Sequence, residues 1–102
     1  MTFEELIVVI KRILSNMVDI STIKWNYRKT EFLQEVWIKV PMLSDEHLTF
    51  FCTGLKILGV RIRKSTIPGS YIEYLSIDIV ERFDIVDQYV GVAYVFYDSD
   101  EE

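Results

Sequence analysis

The residue types best equipped for nucleophilic or metal chemistry are almost absent from this sequence. His47 and Cys52 are its single histidine and its single cysteine. Five positions apart on a helix, they point about 140° from each other, so no closed ligand set can be assembled from them. Cys52 falls on an apolar stripe and reads as a small core residue; His47, nearer the start of the same segment, reads as a surface residue. The four glycines are scattered at positions 54, 59, 69 and 91, which rules out a glycine-rich phosphate loop. Carboxylates are abundant, but acid–base catalysis needs two of them converging in a dry pocket. Glu35 and Glu73 instead alternate with apolar neighbours, as a solvated strand face does. The expectation is a chain with no catalytic residue, no metal site and no cofactor.

Residues suited to binding are more plentiful. Lys24, Arg28 and Lys29 interleave with Trp25 and Tyr27, and Arg61, Arg63 and Lys64 form a second basic cluster. Such clusters suit a nucleic-acid backbone. Three features oppose that use: the net charge is −5, Trp25 and Tyr27 alternate onto the strand face opposite Lys24 and Arg28, and no RNP-like motif is present. The aromatic surplus points elsewhere. Trp25, Tyr27, Trp37, Tyr74, Tyr89, Tyr94, Phe96 and Tyr97 exceed what one face of a small sheet can bury. Leu33 and Trp37 lie opposite Phe32, Val36, Ile38 and Val40, so apolar surface is left over on a second face. It must be covered by the end of the chain, by a second copy in a homodimer, or by a partner, and Tyr and Trp favour interfaces. The leading expectation is therefore a non-enzymatic protein–protein interaction module that takes a peptide or strand, with Trp25, Tyr27, Trp37, Tyr89 and Tyr94 at the contact. The alternative is nucleic-acid binding through Lys24, Arg28, Lys29, Arg61, Arg63 and Lys64.

Two copies of one pattern position these residues. Glu31–Val40 and Ser70–Ile79 place an aromatic, an aliphatic, a polar residue and an Ile-charged-aliphatic ending in the same order, and each follows a helix-like and a strand-like stretch. Thr2 with Glu5 makes a capping box. Phe3, Leu6, Ile10, Ile13 and Met17 then recur at helical spacing, flanked by Val9 and Leu14, over Thr2–Asn16. Residues 19–28 alternate as a strand, Arg28–Thr30 breaks it, and 31–40 alternates again, so the pair reads as a hairpin that Pro41 ends. Ser44 opens a second helix with Leu43 as staple; Leu48, Phe51, Cys52 and Leu55 form its stripe, and Gly59 sits at its left-handed end. Val60 to Ser65 alternates, Pro68-Gly69 signals a type II turn, and Tyr71, Glu73, Leu75, Ile77 and Ile79 share a face. Residues 81–88 read as a helical turn or wide loop, and 89–97 as a fifth strand.

The order helix–strand–strand, twice, predicts an α+β fold: two pseudo-twofold-related αββ repeats (1–41 and 43–80) plus a fifth strand in a mostly antiparallel sheet with both helices on one face. Each unit alone is half a core. Two arrangements satisfy this, a permuted ferredoxin-like sheet or two modules side by side, with a partner groove between them. Residues 1–97 form one domain, and 98–102 are expected to be an acidic, mobile tail.

Composition bounds the rest. Half of the 102 residues are apolar and 14% are aromatic, enough for a real core. Residues 1–69 carry ten Lys/Arg and seven Asp/Glu, whereas 70–102 carry one and nine. No apolar run is long enough for a membrane span, and Lys11-Arg12 breaks the layout of a signal peptide. A lone cysteine points to a reducing, cytoplasmic setting. The chain has one Ala, thirteen Ile, two Asn and two Gln, a composition suited to high temperature. In this it resembles small orphan proteins of filamentous viruses of hyperthermophilic archaea, such as the Acidianus filamentous virus. The resemblance implies a host cytoplasm and carries over no catalytic residue.

Overall fold

The computed structural model describes residues 2–31, 33–70, 72–83 and 86–98, with the side chains of 81–89 left aside. Helix α1 spans Phe3–Ser15. Thr2 caps it, its hydroxyl accepting from the Glu5 amide at 3.1 Å, and Glu4 and Glu5 in the first turn suit the helix dipole. A 3₁₀ turn, Ile20–Thr22, interrupts the stretch that reads as strand from residue 19. Asp19 explains the difference: its carboxylate accepts from the amide and hydroxyl of Ser21, and this local bonding competes with extension. The strand β1 therefore starts later, at Lys24–Lys29, and pairs with β2, Gln34–Lys39.

Helix α2, Asp45–Lys56, is capped by Ser44, whose hydroxyl accepts from the His47 amide. It closes on Gly59, whose φ of 77° is the left-handed conformation a side chain disfavours. Strand β3, Arg61–Thr66, pairs with β4, Ile72–Phe83. Gly69 has φ 79°, and the Ser70 amide donates to the Ile67 carbonyl, so the Pro68-Gly69 turn forms as its residues dictate.

Within the segment read as a helical turn or wide loop, residues 81–83 and 86–88 are strand. β4 continues to Phe83 and β5 runs Val86–Asp98, pairing as a long antiparallel arm with an irregularity at Ile79/Val80. Asp98 therefore ends a strand rather than beginning a tail, and residues 99–102 lie outside the described ones.

The sheet is mixed, in the order β1-β2-β5-β4-β3. β5 lies between the hairpins β1–β2 and β3–β4, antiparallel to β4 and parallel to β2. The parallel pair is a topological necessity. A strand between neighbours of opposite direction must run parallel to one, and the pairing of Phe83 with Val86, three positions on, fixes β4 as the antiparallel one. The expected groove between the two units is thus filled by the chain's own fifth strand.

Strand alternation divides the side chains into two layers. On the helix side, Val36 and Ile38 of β2, Ala93, Val95 and Tyr97 of β5, and Leu75, Ile77 and Ile79 of β4 meet Leu6, Ile7, Ile10 and Leu14 of α1 and Phe51 and Leu55 of α2 in one buried core. Ile7 and Leu14 are buried while Phe3, Ile13 and Met17 are only partly so, which rotates the α1 stripe from its expected centre. Leu48 and Cys52 pack against the core's edge, and burial raises the Cys52 thiol pKa. Phe32 and Tyr71 lie outside the described residues.

Two contacts on this side are open to direct test. A Cβ at Gly91 would stand 2.7 Å from the Phe3 ring. Gly91→Ala is expected to lower stability by about 1–3 kcal/mol. The loss should shrink when Phe3→Ala is already present, a non-additivity that chemical denaturation of the single and double variants would reveal. The Tyr97 hydroxyl donates to Glu73 at 2.9 Å, and Glu73 also meets Lys64 at 3.1 Å. Burial first, then Glu73, push the Tyr97 pKa up. A phenol that stays protonated in the folded state and ionises when unfolded contributes stability that is present below the ordinary tyrosine range. That stability falls as pH rises above about 10, by up to about 1.4 kcal/mol per pH unit. Urea midpoints measured from pH 9 upward should decline more steeply for the parent chain than for Tyr97→Phe.

Candidate functional site

The face opposite the helices carries a second apolar layer with no helix over it among the described residues. Register sets its rows. One row runs Asn26, Trp37, Tyr94, Ser76, Arg63; on one side lies Lys24, Lys39, Phe96, Tyr74, Ser65, and on the other Arg28, Glu35, Val92, Asp78, Arg61. The three inner strands therefore place aromatic rings at the centre, and the outer strands β1 and β3 place cations at the borders.

The rings form a continuous mosaic. Trp37 stacks on Phe96 with centroids 5.4 Å apart and planes 27° from parallel, and meets Tyr94 at 5.5 Å. Tyr74 contacts Phe96 at 5.3 Å and Tyr94 at 6.4 Å. Each such pair stabilises by about 0.5–1.5 kcal/mol beyond its area, so the cluster holds its shape without a helix against it. Trp37 still exposes 38% of its surface. Its indole N–H donates to Glu35 at 3.2 Å, and the Arg28 guanidinium lies 4.7 Å from its ring centre.

The charges are fixed unequally. Asp78 is buried, bonded to the exposed Arg63 at 3.1 Å and accepting from the Ser76 hydroxyl. Burial first, then Glu35 and Asp78, raise the Tyr94 pKa. Among the described residues this face holds five cations (Lys24, Arg28, Lys39, Arg61, Arg63) and three carboxylates (Glu35, Asp78, Asp98). Glu35 and Asp78 already have partners, which leaves the borders positive despite the acidic chain.

The sequence-derived sites separate in space. Trp37 and Tyr94 meet on the open face, but Trp25 packs against the core on the helix side with Lys11 5.0 Å from its ring, and Tyr27 shares that side. The side chain of Tyr89 lies outside the described residues. Of the six basic residues, Lys24, Arg28, Arg61 and Arg63 border the open face, while Lys29 and Lys64 project to the helix side. Tyr74, Phe96 and Lys39 complete the surface. Lys39 follows Trp37 by two positions and Phe96 follows Tyr94 by two, the period that puts residues on one strand face, and this was the signal available for them.

Glu35 and Glu73 fall on opposite faces and do not converge. Among the described residues no group of three or more His, Cys, Asp and Glu is arranged to hold a metal ion, and no helix is long and apolar enough to cross a membrane. His47 is half-buried, with its Nδ1 buried and unpartnered. Protein-family models, curated proteins and solved structures offer no match to this chain.

Proposed function

We propose that this protein is a non-enzymatic binding module whose helix-free sheet face takes a single-stranded nucleic acid. The observation that carries the reading is the four-ring mosaic of Trp37, Tyr74, Tyr94 and Phe96 framed on both borders by Lys and Arg. Bases stack on exposed rings while the backbone follows the cations. Arg28 covers Trp37 in the unliganded protein, and magnitudes decide what a base does there. An exposed cation–π contact is worth about 0.5–1 kcal/mol, and base stacking about 1–3 kcal/mol. A base therefore displaces Arg28, which is then placed to meet the neighbouring phosphate.

A peptide partner is the second reading, supported by a different feature. Among the described residues no strand lies beside the outer edge of β1, and a cavity of ≈ 420 Å³ opens there, lined by Phe3, Ile7 and Tyr27 together with Arg28, Lys29, Glu4 and Glu35. A strand-added peptide would seat a side chain in it, and Lys24, Arg28 and Lys29 of β1, set against Glu4 and Glu35, would favour an acidic one.

Fluorescence anisotropy of a labelled oligothymidylate distinguishes these readings. Affinity should fall as salt rises, with a log–log slope of about −2 to −4 for three to five phosphate contacts. Trp37→Ala or Phe96→Ala should each weaken binding by about tenfold or more, and Tyr27→Ala should change little. Binding that is insensitive to both ring deletions would overturn the assignment. Capture of an acidic peptide that depends on Tyr27 would favour the edge instead.

A further inference from the structure

The open face is not uniform, and one corner of it is built for an anion. Lys24 and Lys39 are direct partners in the β1–β2 register. Lys39 in turn lies opposite Phe96, and Phe96 opposite Tyr74. Like charges directly opposite each other destabilise a sheet, so this pair weakens the hairpin unless an anion lies across it. The carboxylates Glu35 and Asp78 stand in a row farther along the strands, each bonded to another residue. Asp98, beyond Phe96 on the same face, is the described carboxylate nearest in register. The two lysines line a groove of ≈ 470 Å³ at the end of the sheet together with Trp37, Phe96, Ile67 and Ile72, and Trp25 and Ile38 reach it from the other side of the sheet. That volume is within the range of small-ligand sites, with cations at one side and a flat ring at the other.

We propose that this corner is a nucleotide subsite: Lys24 and Lys39 clamp one phosphate of the bound strand, and the adjoining base lies against Phe96 in the groove. The proposal rests on the reading of the open face as a single-strand platform and adds where the strand is anchored. Lysine acts here as a point charge, so the subsite recognises phosphate without fixing a base. The pair also links binding to stability. An anion between the lysines relieves their repulsion, so ligand raises the melting temperature beyond what its affinity for an uncharged corner would give.

The test uses the full chain and a labelled oligothymidylate of about ten nucleotides, within the span of single-strand sites. Lys24→Gln with Lys39→Gln should lower affinity by about tenfold or more and reduce the salt slope by about one. The control, Lys29→Gln with Lys56→Gln, removes the same charge away from this face and should change affinity by less than about twofold. Lys39→Glu should raise the melting temperature of the unliganded protein by a few degrees, because a cross-strand ion pair replaces a repulsion, and should weaken oligonucleotide binding. That opposition excludes misfolding as the cause of lost binding. If the corner and control variants lose affinity equally while the parent chain binds, the subsite is wrong and the platform reading stands. If the parent chain binds no oligonucleotide at low salt, both are wrong.

Discussion

The pairing of β5 on both of its edges is the constraint on which the rest of this structure depends. Among the described residues the hairpins β1–β2 and β3–β4 have no ladder to each other, and a two-stranded hairpin is marginal in water. β5 joins them, with six register pairs to β2 and twelve to β4. Its inward residues are graded to the helices above. Gly91 admits the Phe3 ring, Ala93 and Val95 are fully buried, and Tyr97 fills the far end while its hydroxyl meets Glu73. Its outward residues Tyr94 and Phe96 complete the aromatic mosaic. One strand thus closes the core and supplies the middle of the open surface.

The cations of the border strands also have a structural consequence. An unpaired edge invites another strand, and lysines and arginines along it oppose self-association. β1 and β3 are the two edges, and Lys24, Arg28, Lys29, Arg61, Arg63 and Lys64 all lie on them. Of these, Lys24, Arg28, Arg61 and Arg63 border the open face, whereas Lys29 and Lys64 project to the helix side. The negative whole-chain charge does not conflict with this. Two of the open-face carboxylates, Glu35 and Asp78, are engaged locally, and screening within about 10 Å makes local charge weigh more than the total.

Much of the fold was legible because it is written in short-range chemistry. Thr2 and Ser44 mark helix starts, Gly59 and Gly69 mark positive-φ positions, and period-two alternation assigns Val36, Ile38, Leu75, Ile77 and Ile79 to one buried face. Local chemistry also misled in two places. Asp19 turned an apparent strand into a 3₁₀ turn through side-chain bonds to Ser21. The polar stretch 81–88 reads as a loop on composition, yet its backbone is strand over much of its length because β4 and β5 extend each other's ladder. Cross-strand bonding outweighs a weak local preference.

The sequence by itself determined the α+β class, both helices, the hairpins and the partition of each strand into an inner and an outer face, because each depends on residues within a few positions. Which outer faces meet was decided only by tertiary structure. Trp25 and Trp37 look equally suited to a binding surface, and strand parity put one beneath α1 and the other among Tyr94 and Phe96. Lys24 and Lys39 are fifteen residues apart in sequence and became opposite partners through the hairpin register. β5 took the place where a groove was expected because a strand paired along β4 can satisfy the inner edge of β2 at the same time, something no local pattern encodes.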